Sequence, residues 1–212
     1  AEVGLGSRVA AITSTFTQGN LTHVENPFSV ALEGDGFFQI RTESGELQYT
    51  RDGSFEISPV ANGNMLCTSD GNPVLDAYGN QIILPSNRVA TDLVVNQDGT
   101  LAFPDGTGNP AVITDANGRP VKFGIYQFNN PAGLSKEGSN NYSVTVASGA
   151  AVAENGNAAV KQTKTHQYYT EASNVDVANE MVNLIVAQRA YEMNSKAIQA
   201  SDEMMQQANA LR

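Results

Sequence analysis

Apolar positions recur along this chain with two different rhythms. From Phe28 to Val146 they come in short bursts of four to seven residues, often alternating with polar ones. Phe28–Leu32 and Phe37–Ile40 flank Gly34-Asp35-Gly36. Leu47–Thr50 and Ser54–Ile57 flank Asp52-Gly53, and Asp92–Val95 and Thr100–Phe103 flank Asp98-Gly99. Lys122–Phe128 and Tyr142–Val146 continue the pattern. Bursts of this length, separated by turn dipeptides, predict strands paired through hairpins. Asp-Gly at Asp35, Asp52, Asp70, Asp98 and Asp105 and Asn-Gly at Asn62, Asn117 and Asn155 supply the turns, because both tolerate positive φ. The Asp-Gly spacing is irregular, so the chain is no solenoid.

The second rhythm begins at Asn174. Val177, Leu184, Tyr191, Ile198 and Met205 stand seven apart. Val182, Met193 and Met204 stand eleven apart, with Val186 and Ala197 between them, and Met181 and Ile185 add further apolar positions. Both periods are helical. Ser173, Asn174 and Asp176 are N-cap residue types, and Glu180 places a negative charge in the first turn. All 19 glycines lie at or before Gly156 and all 8 prolines at or before Pro131, so nothing interrupts the tail. A helix over the last 39 residues would reach roughly 57 Å, longer than a small domain is wide. One stripe could pack on its own domain. Two stripes, separated by small residues such as Ala187, Ala190 and Ala200, ask for at least two neighbours. The expected fold is mainly β: an antiparallel β-rich body of short strands and hairpins over 1–147, a linker and return strand over 148–172, loose and alanine-rich up to Lys164, and one long C-terminal α-helix over 173–212.

Composition narrows the function. The 212 residues carry a net charge of −10, which disfavours a nucleic-acid partner or an anionic membrane surface. Residues 1–156 hold 16 acidic and 7 basic side chains, and residues 157–212 hold 6 and 5. The near-neutral tail can therefore lie beside its own copies with little repulsion. No apolar run is long enough to span a membrane, and no secretory signal opens the chain. The single cysteine, Cys67, reads as a buried core residue without a catalytic partner.

No cofactor or metal is called for. His23 and His166 stand in no ligand spacing. Gly4-Leu5-Gly6-Ser7-Arg8-Val9 begins like a dinucleotide fingerprint but lacks its last glycine and its strand–helix context. Asp70-Gly71-Asn72 has its glycine in the wrong place for a calcium loop, and Gln81 stands where the twelfth-position acid would be. Carboxylate pairs of glycosidase type arise by chance among 22 acids. A carbohydrate-active enzyme and an extracellular fibre or adhesin module with a coiled-coil stalk stay open as alternatives at this level.

Three blocks of residues resemble the bacterial flagellar rod and hook family, most closely its distal rod members. The first runs from Gln18-Gly19-Asn20-Leu21 through Asn26-Pro27, Val30-Ala31-Leu32 and Gly34-Asp35-Gly36-Phe37-Phe38 to Tyr49-Thr50-Arg51-Asp52-Gly53-Ser54-Phe55. The second is Phe128-Asn129-Asn130-Pro131-Ala132-Gly133-Leu134, followed by Gly138, Asn140 and Tyr142. The third runs from Ser173-Asn174-Val175-Asp176-Val177 through Glu180-Met181-Val182 and Gln188-Arg189-Ala190-Tyr191-Glu192 to Asn194-Ser195-Lys196 and Asp202. Proximal rod and hook subunits are the alternative within the family.

The resemblance implies a non-enzymatic structural subunit of the basal-body rod, extracytoplasmic and, in a two-membrane cell, periplasmic. It implies a hollow helical homopolymer built through paired terminal helices, with neighbouring rod and hook proteins and the flagellar export apparatus as partners. The apolar tail positions named above would carry that assembly. Two departures stand out. The family's long N-terminal helix is missing, so the chain is expected to begin inside the β body. The family also carries glycine after a glutamine just before the tail, where Tyr168 follows Gln167 here.

Overall fold

Sixteen short strands, one long α-helix and two 3-10 turns, at Ala90–Asp92 and Pro131–Gly133, make up the regular structure of the computed structural model, which describes residues 12–105, 110–157 and 159–210. The strands are β1 (Leu21–His23), β2 (Val30–Glu33), β3 (Phe37–Arg41), β4 (Leu47–Thr50), β5 (Glu56–Val60), β6 (Gly63–Cys67), β7 (Ile83–Leu84) and β8 (Val94–Val95). They continue as β9 (Leu101–Pro104), β10 (Pro110–Val112), β11 (Ile125–Gln127), β12 (Ser135–Gly138), β13 (Asn141–Ser143), β14 (Val152–Ala153), β15 (Lys164–Gln167) and β16 (Tyr169–Glu171). The helix α1 covers Val177–Ala210. Every strand pairing is antiparallel, as the turn-rich sequence predicts. The Gly4–Val9 run and Gly106 of the Asp105-Gly106 turn lie outside the described residues.

The largest sheet has six strands in the order β12-β13-β4-β3-β11-β14. Its central strand, β3, is buried on both faces, which is why Phe37-Phe38-Gln39-Ile40 does not alternate cleanly. Strand pleating sends Phe38 and Ile40 into one core, with Phe55, Leu66, Leu84, Leu101 and Phe123. Phe37 faces the other way, into an aromatic cluster with Tyr49, Phe128 and Leu134. Ring pairs at 5.0–5.6 Å, edge to face, join Phe16, Phe37, Tyr49, Tyr126 and Phe128. Gln39 shares this face, and its amide donates to the Tyr49 hydroxyl at 3.3 Å. Cys67 is buried, and burial pushes its thiol pKa up, which leaves it a core side chain.

The hairpins are not all where the turn dipeptides suggest. Asp98-Gly99 does join the paired strands β8 and β9. Asp52-Gly53 does not join a hairpin: β4 pairs with β3 and β13, while β5 pairs with β6. Gly53 crosses the start of β2 instead, where an added β-carbon would stand 1.7 Å from the Val30 carbonyl oxygen. Glycine is required there for close approach, not for φ. Gly34-Asp35-Gly36 likewise leads from β2, which pairs with β15, into a different sheet. The residues 148–164 are less loose than their composition suggests, for β14 completes the large sheet and Glu154 is buried there.

A single turn type recurs five times among the described residues. Its glycine holds φ between 76° and 87°, as Gly45, Gly71, Gly79, Gly99 and Gly118. The glycine amide donates to the carbonyl three residues back, and that residue's amide donates to the carbonyl four residues on, as from Thr42 to Glu46 and from Asp115 to Arg119. This is a type I turn closed by a left-handed glycine. Thr42, Thr68, Asp76 and Asp115 begin four of the copies, and the side chain of each accepts an amide hydrogen from within the turn.

Two units partition the chain, Ala1–Ser173 and Asn174–Arg212.

Candidate functional site

The tail sequence begins its helix through Asp176. The carboxylate accepts the Ala178 amide at 3.0 Å and the Asn179 side-chain amide at 2.7 Å, and the Asp176 carbonyl accepts the Glu180 amide at 3.0 Å. Asp176 is thus the N-cap among the three residue types available. The helix then runs for 34 residues, and none of them is buried. Val177, Met181, Val182, Leu184, Ile185, Val186, Tyr191, Met193, Ile198, Met204 and Met205 are between 55% and 77% exposed. At about 100° per residue the seven-residue series stays on one side of the cylinder, drifting by about 20° per heptad. Met181 and Ile185 widen that stripe. Val182, Val186, Met193 and Met204 stand on roughly the opposite side. Fully burying side chains of this kind contributes about 1.5–3 kcal/mol each, so both stripes amount to a large unspent driving force for association.

At the other unit's end, β16 pairs with β1 through Leu21↔Glu171, Thr22↔Thr170 and His23↔Tyr169. The Ala172 amide extends the ladder to the Asn20 carbonyl at 2.9 Å. Residues near position 20 and residues near position 172 are therefore neighbours, although 150 positions separate them. Arg51 locks this corner. Its Nη1 donates to the Gly34 and Gly36 carbonyls at 2.8 and 3.0 Å, and its Nε donates to Glu171 Oε2 at 2.9 Å. Its Nη2 also lies 2.9 Å from Oε2. The guanidinium lies over the Phe37 ring, 5.7 Å from the centroid. Glu171 Oε1 accepts the Gly19 amide at 2.9 Å, so one carboxylate ties together β16, residue 19 and Arg51.

This corner explains the first recognisable block. Gln18 supplies both a donor to the Leu32 carbonyl and an acceptor for the Gly34 amide. Arg51 was visible within that block, whereas Glu171 carries no signal in periodicity or spacing. Gln167 is a second lock. Its side chain accepts the Val95 amide and donates to the Pro27 and Leu93 carbonyls, each at 2.7–2.9 Å. Tyr168 follows with φ +65°, a conformation that suits glycine. The two histidines, remote in sequence, both border Tyr169: His23 at 5.4 Å and His166 at 6.2 Å between ring centroids. His166 Nε2 lies 2.6 Å from Glu33 Oε2, and this hydrogen bond holds the Glu33 carboxyl below its ordinary range.

The buried carboxylates Asp76 and Glu154 are occupied by backbone and side-chain donors of the body. Asp76 accepts the Tyr78 and Asn80 amides, and Glu154 accepts the Thr163 amide and hydroxyl. Among the described residues no three His, Cys, Asp or Glu side chains gather as a metal site. No helix among them is long and apolar enough to cross a membrane.

A β body and a helix with two uncovered apolar faces suit a structural subunit, and sequence comparison places the chain among structural proteins. The model described as "Flagellar hook protein FlgE/F/G D1 domain" matches residues 31–103, and that described as "Flagellar basal body rod FlgEFG protein C-terminal" matches residues 166–211. The flagellar basal-body rod protein FlgG of Borreliella burgdorferi is 39% identical over 100% of this chain and 74% of its own length. Its counterpart in Buchnera aphidicola subsp. Acyrthosiphon pisum is 36% identical over 99% of the chain and 75% of itself. That of Agrobacterium fabrum is 38% identical over 96% and 72%. The chain therefore belongs to the family of flagellar basal-body rod proteins.

Proposed function

We propose that this chain is a structural subunit of the flagellar rod, of the distal kind, which polymerises helically through α1 into a hollow shaft that carries torque to the hook. The observation that carries the reading is the pair of opposite apolar stripes on a helix with no buried residue, in a chain of the rod protein family. One stripe would face the N-terminal helix with which the family resemblance pairs it, and the other a helix of a neighbouring copy. Val177, Leu184, Tyr191, Ile198 and Met205, with Met181 and Ile185, form the first contact. Val182, Val186, Met193 and Met204 form the second. Its partners are further copies of itself, adjoining rod and hook proteins, and the export apparatus that delivers it outside the cytoplasmic membrane. It needs no cofactor and catalyses no reaction.

In this reading the body over 1–147, the linker and return strand over 148–172 and the helix over 173–212 divide the labour. The body gives solubility and outer bulk, and the helix gives cohesion. Leu184→Asp with Ile198→Asp places two charges in one stripe without touching the body. Expressed from the full-length gene in a strain lacking it, this variant should leave the β body folded and abolish rods and swimming. Normal rods and swimming would refute the assignment.

A further inference from the structure

Asparagine precedes glycine at Asn62, Asn117 and Asn155, and that dipeptide carries a reaction of its own. The glycine amide nitrogen, once it has lost its proton to base, attacks the asparagine Cγ. The new N–Cγ bond closes a succinimide ring, the bond from Cγ to the side-chain nitrogen breaks, and that nitrogen leaves as ammonia. Water then opens the ring at either carbonyl and gives aspartate or isoaspartate. Glycine favours the attack because it has no side chain to crowd it. The dipeptide is the same in all three places. The fold makes them unequal, because it sets their glycines at different points of their turns.

At Asn117 the glycine closes its turn. The Gly118 amide donates to the Asp115 carbonyl at 3.0 Å, and the Asn117 amide donates to Asp115 Oδ1 at 2.8 Å. Arg119 holds the same carboxylate through Nε and Nη2, at 3.0 and 2.8 Å. At Asn62 the glycine is buried as the first residue of β6. Pro59 has no N–H to donate, so Pro59↔Asn64 is a pair without mutual hydrogen bonds, and the adjacent Val60↔Gly63 pair exchanges them. The attacking nitrogen is engaged in both places. Asn155-Gly156 is built differently. The Asn157 amide donates to the Glu154 carbonyl at 3.2 Å, which makes Asn155 and Gly156 the two central residues of the turn. Gly156 has φ +75°, and Asn155 is not among the residues of positive φ, so the turn is of type II. The amide between its central residues takes no part in closing it. Among the described residues neither the Gly156 amide nor the Asn155 side chain has a hydrogen-bond partner. Both residues are exposed, and a β-carbon on Gly156 would meet nothing within 4 Å. The turn is nevertheless fixed at its base, where Glu154 Oε2 accepts the Thr163 amide at 2.7 Å and Oε1 accepts the Gln127 amide group at 2.8 Å.

We propose that Asn155 is a site of spontaneous deamidation, the one Asn-Gly pair of the three that the folded chain leaves reactive, with water as the second reactant. The product sets a new carboxylate beside the buried Glu154, at the end of β14. The purified full chain, aged in mildly alkaline buffer prepared in oxygen-18 water, is digested and its peptides are followed by mass spectrometry. The Asn155 peptide should lose ammonia and take up the label about tenfold faster than the Asn62 and Asn117 peptides, the factor expected when the glycine amide has no hydrogen bond to give up. It should separate into aspartyl and isoaspartyl forms. In urea concentrated enough to unfold the body, the three rates should converge. An Asn155 that stays intact in the folded chain would overturn the proposal, as would Asn62 or Asn117 keeping pace with it there. A difference that persists undiminished in urea would overturn it too, because the preference would then lie in the neighbouring residues and not in the turn.

Discussion

Tyr168 is held at φ +65° by hydrogen bonds on both sides, its amide to the Ser29 carbonyl and its carbonyl from the Val24 amide, at 2.9 and 2.8 Å. A non-glycine residue in this region costs about 1–2 kcal/mol, and the stacking of its ring near His23, at 6.4 Å, offsets part of that. Glycine would remove the strain but widen the unfolded ensemble, at about 0.5–1 kcal/mol. Tyr168→Gly is therefore expected to stabilise the body by at most about 0.5–1 kcal/mol. Thermal unfolding should move up by about 1–3 °C, and a lower midpoint would show that the ring contact dominates. The sequence exposed this position, because the resemblance leads to glycine after Gln167. Glu171 was not legible in the same way. It is an ordinary acid between Thr170 and Ala172 until β1–β16 pairing sets it 2.9 Å from both the Arg51 Nε and the Gly19 amide.

Among the elements, the turns and the helix illustrate opposite kinds of legibility. Asp-Gly and Asn-Gly mark three of the five copies of the recurring turn, at Gly71, Gly99 and Gly118. They miss Ser44-Gly45 and Tyr78-Gly79, because the structural requirement is the left-handed glycine and the capping first residue, not the residue between them. They also mislead at Asp52-Gly53. The helix was legible from its uninterrupted periodicity, but its start was not: three N-cap types, Ser173, Asn174 and Asp176, stood open, and the structure places the cap at Asp176. Its stability is another matter. Nucleation is costly, and most helical stability in proteins comes from tertiary packing, which α1 lacks since none of its residues is buried. In a dilute monomer, backbone amides of Val177–Ala210 should exchange with solvent orders of magnitude faster than those of β3, and slow markedly on assembly. Equal protection of α1 and β3 in a monodisperse monomer would contradict this.

At the scale of the whole molecule, acidity is the main physical signature, and it makes stability depend on pH. Glu33 is held low by the His166 hydrogen bond. Asp115 is held low first by the Arg119 amide and then by its guanidinium. Burial opposes ionisation of Asp98, but bonds from the Thr100 hydroxyl and amide outweigh it and keep its carboxyl low. A carboxyl depressed in the folded state stabilises fully above its unfolded value and loses that contribution as pH falls through the folded value. The ordinary values are 4.5 for Glu33 and 3.8 for the two aspartates. Urea midpoints should therefore hold nearly level from neutrality to about pH 5 and fall below about pH 4. A midpoint that rises on acidification through this window would show that relief of the net negative charge prevails. The sequence alone determined the antiparallel β class, the helix with its two stripes and the family, because each is written in local periodicity or in contiguous blocks. Tertiary structure alone decided which strands pair, that positions 20 and 172 meet, and that Arg51 and Glu171 close the corner. Those facts depend on contacts between residues tens to more than a hundred positions apart, and no local pattern encodes such contacts.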